Sequence, residues 1–240
     1  MGGLTVVLLD ALGTILELEQ PWPHLVRELG ERGTRVTEEL AREAMLAEMA
    51  FYRAEHHRAA DADGLARLRR ECAGVVLEHL GPAAAHTAIE DVEAALLAAV
   101  RFVAYSDVAP ALEQLREDGA QLVVVSNWDV SLHTVLAQSG LSGLLDGAIS
   151  SAEAGAAKPD PAILVAALAL VGGSAEDAFM VGDSVATDIA GAQALGIAPV
   201  LVARAAGEGL GSFGAGPRAP AGVPTLPGLA GLPELVRYRR

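Results

Sequence analysis

Lysine is almost missing from this chain of 240 residues: sixteen of its seventeen basic side chains are arginine, and Lys158 is the one exception. Basic charge as a whole is scarce, because 31 acidic residues set the formal net charge at −14. Nucleic acid is excluded as a partner, since neutralising phosphates requires basic patches and none is present. An anionic membrane surface is disfavoured for the same reason. Only Cys72 carries a thiol, so no intramolecular disulfide can form, in keeping with a reducing cytoplasm. Its ordinary role would be a small residue packed on a helix. Long apolar runs are also absent: the longest, Ala162 to Val171, has ten residues, about half of a membrane span. Strand-like residues begin by Leu4 with no basic segment before them, so no signal peptide is expected. A soluble, cytoplasmic protein is the expectation.

What is present begins with apolar content of 52%, enough over this length to bury one large core or a core plus an inserted subdomain. Three short β-branched runs each end in polar residues. Leu4 to Leu9 ends in Asp10, Leu122 to Val125 in Ser126-Asn127, and Phe179 to Val181 in Gly182-Asp183-Ser184. Runs of this kind followed by helical stretches predict buried parallel strands whose carboxyl ends gather at one edge, where ligands bind. Lys158, in Ala-Ala-Lys-Pro-Asp-Pro, joins them. A carboxylate, a hydroxyl, an ammonium and a second carboxylate at one edge suit a nucleophile, an anion and a divalent metal.

Between the first strand and the rest, the texture changes. From Pro21 to about Val100 the chain is rich in Ala, Glu, Arg and Leu with helical spacing, predicting four or five helices. Pro21 and Pro23 open the first, Gly30 to Gly33 interrupts, and Thr37-Glu38-Glu39 restarts with a capping threonine. Asp63-Gly64 and Gly81-Pro82 mark further breaks. Helix and strand alternate again from Ser106 to Val202. Ala205 to Pro224, dense in Gly, Ala and Pro, reads as a mobile loop before a last segment near Leu226 to Val236. The expected architecture is α/β, with residues 1–16 and 101–240 forming the core and 17–100 an inserted all-helical domain.

Together Asp10-Ala11-Leu12-Gly13-Thr14, Val125-Ser126-Asn127, Lys158-Pro159, and Gly182-Asp183-Ser184 with Asp188 following resemble the four motifs of the haloacid dehalogenase superfamily, in order and over nearly the whole chain. The resemblance implies a Rossmann-like, doubly wound parallel sheet with a helical cap inserted after the first motif. It also implies that Asp10 is the nucleophile, forming an aspartyl intermediate that water hydrolyses. Ser126 and Lys158 would hold the transferred group, Lys158 also holding Asp10, while Thr14 orients the loop. Mg²⁺ would be bound by Asp10, the backbone carbonyl of Leu12 and Asp183, with Asp188 supporting that shell. A solvated acid in the first turns of a helix is the plainer account of Asp188. Cap closure would exclude water and read the distal part of a small anionic substrate. Monomer and homodimer both fit.

Leu12 departs from the pattern, because phosphatases of the superfamily place there a second aspartate that protonates the leaving alcohol. Loss of a positioned acid removes roughly 100- to 10,000-fold, yet the carbonyl that would bind Mg²⁺ is retained. Haloacid dehalogenases also lack the second aspartate, but a metal-free attack on a halocarboxylate gains nothing from Asp183 and Asp188. Phosphonoacetaldehyde hydrolases lack it too, and need a cap lysine that this chain does not have. A phosphatase preferring good leaving groups is expected first, with dehalogenase-like chemistry or a weakly catalytic binding protein as alternatives. Glu17 and Glu19 are the nearest compensating carboxylates. Asn127 is expected to fix the nucleophile loop, Asp129 to cap the next helix, and Trp128 either to face the cleft or to be buried. Arg42, Arg53 and Arg58 are candidate anion contacts from the helical segment, with solvated faces as the default for them and for most of the histidines. A metal pair of His56 and His57 is disfavoured, since neighbours on a helix point apart.

Overall fold

A computed structural model describes residues 4–205 and 220–238. Most of the predicted Gly/Ala/Pro-rich loop, residues 206–219, lies outside the described residues. The chain runs β1 (Val6–Leu9), β2 (Leu16–Leu18), α1 (Pro21–Glu31), α2 (Glu38–Glu55), α3 (Ala62–Leu80), α4 (Ile89–Ala99), β3 (Phe102–Ala104), α5 (Val108–Glu117) and β4 (Gln121–Ser126). It continues through α6 (Leu132–Gln138), β5 (Gly147–Ser150), α7 (Ser151–Ala154), α8 (Pro161–Ala169), β6 (Ala178–Gly182), α9 (Ala190–Leu195), β7 (Ala198–Val202), β8 (Thr225–Leu226) and α10 (Leu232–Tyr238). Two compact units result, one of Met1–Glu17 with Phe102–Arg240, the other of Leu18–Arg101.

The first unit is built on a parallel sheet in the order β5-β4-β1-β6-β7-β8. Its central strands are buried on both faces, which is why they read as unbroken apolar runs. Val7 and Leu9 of β1, Leu122 and Val124 of β4, and Phe179 and Val181 of β6 share one core with α5, α6 and α10. The alternate residues Val6, Leu8, Val123, Val125 and Met180 pack on α8 and α9 on the other side. Helices therefore cover both faces, the doubly wound arrangement. β2 and β3 form a separate two-stranded sheet.

The second unit holds α1 to α4, and its boundaries follow local chemistry. Pro21 occupies the first turn of α1, where a missing N–H costs nothing. The Thr37 hydroxyl accepts from Leu40 N–H at 3.2 Å to start α2, and Asp61 accepts from Gly64 N–H at 2.7 Å to start α3. The expected break at Asp63-Gly64 is thereby corrected: both residues lie in the first turn of α3. Gly64 serves close approach, since a Cβ there would lie 2.7 Å from the Arg58 carbonyl oxygen.

Within this unit Glu48 of α2 is buried, and the Cys72 thiol of α3 is its hydrogen-bond partner. Burial pushes the Glu48 carboxyl up to about 7, with the Cys72 bond opposing. His56 is buried too, against the Tyr52 ring at 5.7 Å, and is an exception to the solvated faces expected for the histidines. No described helix is long and apolar enough to cross a membrane.

Candidate active site

The end of β1 delivers Asp10, whose N–H donates to the Val181 carbonyl at 2.9 Å and extends the ladder with β6 by one step. Beyond it the chain folds back on itself. The N–H groups of Thr14, Ile15 and Leu16 all donate to the Ala11 carbonyl, at 3.3, 2.9 and 2.9 Å, and Gly13 N–H donates to Leu16 O at 2.8 Å. Gly13 has φ of 82°, a conformation in which a side chain would be strained. Leu12 is half-buried against the core and bridged to Leu16.

Three other strand ends and loops meet Asp10. Ser126, the last residue of β4, donates its hydroxyl to Asp10 Oδ1 at 3.0 Å. Lys158 Nζ donates to the same oxygen at 2.5 Å and to the Val125 carbonyl at 2.9 Å, and lies 2.6 Å from Asp188 Oδ1. Asp10, Asp183 and Asp188 each offer an oxygen, all within 4.8 Å of one another. The structure therefore brings together the carboxylates, hydroxyl and ammonium singled out in the sequence.

Asp188 reaches this position by an irregular turn. Val185–Ile189 form one wide π-type turn rather than a regular helix start, a feature frequent at functional sites. The Ser184 hydroxyl accepts from Thr187 N–H, and Ser184 N–H donates to Asp188 Oδ2 at 3.0 Å. Gly182 makes room, since a Cβ there would fall on the Asp188 carboxylate. Asp188 is 1% exposed, so it is no solvated helix acid.

Asn127 corrects one expectation. Its side chain clasps the backbone of Lys158, Nδ2 donating to the Lys158 carbonyl at 2.9 Å and Oδ1 accepting from Lys158 N–H at 2.8 Å. It fixes the lysine loop, because one amide supplies the donor and acceptor that one residue's peptide groups require. Thr14 is buried, and its hydroxyl has no hydrogen-bond partner among the described residues. Its carbonyl is held instead, by two donors of Arg204, a residue that sequence reasoning missed. The available signal was an arginine two residues past β7, beside the strand ends already chosen.

Trp128 is buried, its ring edge-on to Phe102 at 4.8 Å. Asp129 serves the turn that leads into α6. It accepts from Ser131 N–H at 2.6 Å, one residue before that helix begins. Glu19 is engaged with His24 at 3.1 Å, Arg58 with Glu55 and Glu71, and Arg42 lies over the Trp22 ring. Arg53 is exposed on α2, and the rings of His56 and His57 stand edge-on at 6.4 Å.

The electrostatics are those of crowded acids around one base. Burial pushes Asp183 up to about 8, and the charges of Asp10 and Asp188 act in the same direction. Asp188 is raised to about 6 by burial, with Lys158 opposing. Burial also works against the Lys158 ammonium, but Asp10 and Asp188 outweigh it and raise its pKa. Three carboxylates crowd one ammonium, and the raised pKa values of Asp183 and Asp188 show that full ionisation of this acidic set calls for further positive charge. Hard oxygen donors with that demand fit a divalent cation such as Mg²⁺.

Residues 4–196 match the model of the haloacid dehalogenase-like hydrolases. The chain belongs to that family. Among curated relatives, this hydrolase is 34% identical to a ribulose-1,5-bisphosphate 5-phosphatase of Halopiger xanaduensis over 40% of each chain. It is 40% identical to a phosphoglycolate phosphatase of Caulobacter vibrioides over 41% of each. Each match thus spans about two fifths of the relative's own length. The L-2-haloacid dehalogenase structure from Xanthobacter autotrophicus superposes with a TM-score of 0.70 over 98% of both chains, at 21% identity, and shares the fold.

Proposed function

We propose that this hydrolase is a Mg²⁺-dependent phosphatase with Asp10 as nucleophile, acting on small phosphorylated substrates whose leaving groups depart without protonation. The observation that carries the proposal is the acidic surplus: Asp183 and Asp188 beside Asp10, with Lys158 as the one cation among them. A halocarboxylate would be repelled by those carboxylates, whereas a metal-bound phosphoryl group makes use of them. Ser126 and Lys158 converge on Oδ1 of Asp10, which leaves Oδ2 to attack phosphorus. The bond to the leaving oxygen breaks, that oxygen departs as an anion, and water then hydrolyses the aspartyl phosphate. Asp10, the Leu12 carbonyl and Asp183 would hold Mg²⁺, with Asp188 supporting them; bound there, the ion supplies neutralisation of phosphoryl charge. Ser126 and Lys158 would bind the phosphoryl oxygens as charge develops.

The leaving-group preference rests on Leu12, whose side chain can neither give nor take a proton. Acyl phosphates, phosphoanhydrides and aryl phosphates need no such help. The phosphatase names of the two curated relatives support the phosphoryl part of the proposal. The inserted helical unit, Leu18–Arg101, is proposed to select among substrates as a cap. The test is phosphate release from a panel of acyl, aryl and alkyl phosphates, with Mg²⁺ and with EDTA. Metal-dependent turnover that Asp10→Asn abolishes is expected, and an alkyl phosphate turned over as well as an acyl phosphate would remove the preference. Leu12 also suits a dehalogenase, so silence on every phosphate together with halide release from 2-haloacids would replace the phosphatase.

A further inference from the structure

We propose that Arg204 is a positioning residue for this reaction, holding the loop that carries Asp10 by its far end and tying it to the C-terminal segment of the chain. The inference rests on the hydrolase function proposed above. Arg204 is largely buried, at 13% side-chain exposure. Its Nε and Nη2 both donate to the Thr14 carbonyl, at 3.1 and 2.7 Å, while Nη1 donates to Asp107 Oδ1 at 3.0 Å. The guanidinium plane lies 3.7 Å from the centre of the Tyr105 ring. Only a planar fork of donors serves a carbonyl, a carboxylate and an aromatic face at once; a lysine ammonium is a point charge on a flexible stem.

The network extends further. The second oxygen of Asp107 accepts from Leu229 N–H at 2.6 Å. Gly228 stands where a Cβ would run into the Asp107 carboxylate and lie 3.1 Å from Arg204 Nη1. The glycine is therefore required for this approach.

Position in the loop gives the contact its consequence. The turn from Asp10 to Leu16 is closed on itself, its N–H groups converging on the Ala11 carbonyl. It is tied to the rest of the core where Asp10 N–H meets Val181 O and where Tyr105 N–H donates to the Ile15 carbonyl at 3.3 Å, next to Thr14. Within the turn the Thr14 hydroxyl binds nothing among the described residues, so the carbonyl is the handle. Arg204 fixes that handle from the segment just past β7, and with it the aim of Asp10 toward Ser126 and Lys158. Misplacement of a reacting group by about 1 Å can cost on the order of 100-fold.

Arg204→Ala, Arg204→Lys and Gly228→Ala are compared with the parent protein. The alanine variant is expected to lose about tenfold or more in kcat with little change in KM, and millimolar guanidinium should restore part of it. Arg204→Lys should recover little, and Gly228→Ala should shift kcat in the same direction from a site outside the loop. Amide hydrogen exchange gives a readout independent of turnover: in Arg204→Ala, exchange of Gly13 to Leu16 should accelerate while β4 and β6 stay protected. An unchanged kcat and exchange pattern would overturn the proposal. So would acceleration spread over the whole core without guanidinium rescue, the mark of a merely structural residue. A parent protein silent on phosphates but showing the local exchange effect would fail the proposed function while keeping the loop anchor.

Discussion

Leucine at position 12 has a carbonyl for a metal but no proton for a leaving group, and these two properties separate experimentally. Leu12→Asp is expected to raise kcat/KM for alkyl phosphates by roughly tenfold or more, toward the 100- to 10,000-fold worth of a positioned acid. Acyl phosphates should gain little. Steady-state kinetics on matched alkyl and acyl substrates check this, and equal gains on both would show that leaving-group protonation is not what Leu12 withholds. Around it, single residues were legible in the sequence where they stand immediately past an apolar run: Asp10, Ser126 and Asp183. Lys158 was legible by its rarity. Arg204 was not, because its role is defined by Thr14, Tyr105, Asp107 and Gly228, residues brought together only by the fold.

Elements were read well where periodicity and burial agree. β1, β4 and β6 are buried on both faces and therefore continuous in apolar residues. The helical segment was legible as helical, but not its joints: Asp63-Gly64 has the composition of a break and occupies a capped first turn. Nor does composition disclose the wide turn at Val185–Ile189, which depends on Gly182 letting Asp188 fold inward. The α2–α3 pair carries its own expected outcome. Glu48 is buried, and its carboxyl is raised from an ordinary 4.5 to about 7, so the folded state binds a proton that the unfolded chain releases at lower pH. Its contribution to stability is complete below about pH 4.5 and is lost as pH rises through about 7, a swing of about 3 kcal/mol. Glu48→Gln should remove that decline and be the more stable protein at pH 8. Chemical denaturation at pH 5 and 8 checks it, and parallel pH profiles for parent and variant would refute it.

For the whole molecule, a formal charge of −14 and the three clustered carboxylates at one sheet edge make divalent cations the proposed ligands of the folded state. Mg²⁺ at about 100 times its Kd should stabilise by about 2.7 kcal/mol, seen as a rise in Tm. Asp183→Asn should abolish most of the rise; an equal rise in the variant would place the binding elsewhere. The α/β class and the inserted helical segment were readable at this scale because the alternation of elements stops after β1 and resumes near Ser106. The scarcity of lysine has a last consequence. Lys158 is 4% exposed and enclosed by carboxylates, so amine-acylating reagents and amine-directed crosslinkers find no lysine on the surface. Acylation at a single internal position, followed by mass spectrometry, thereby becomes a chemical clock for the opening of the site itself.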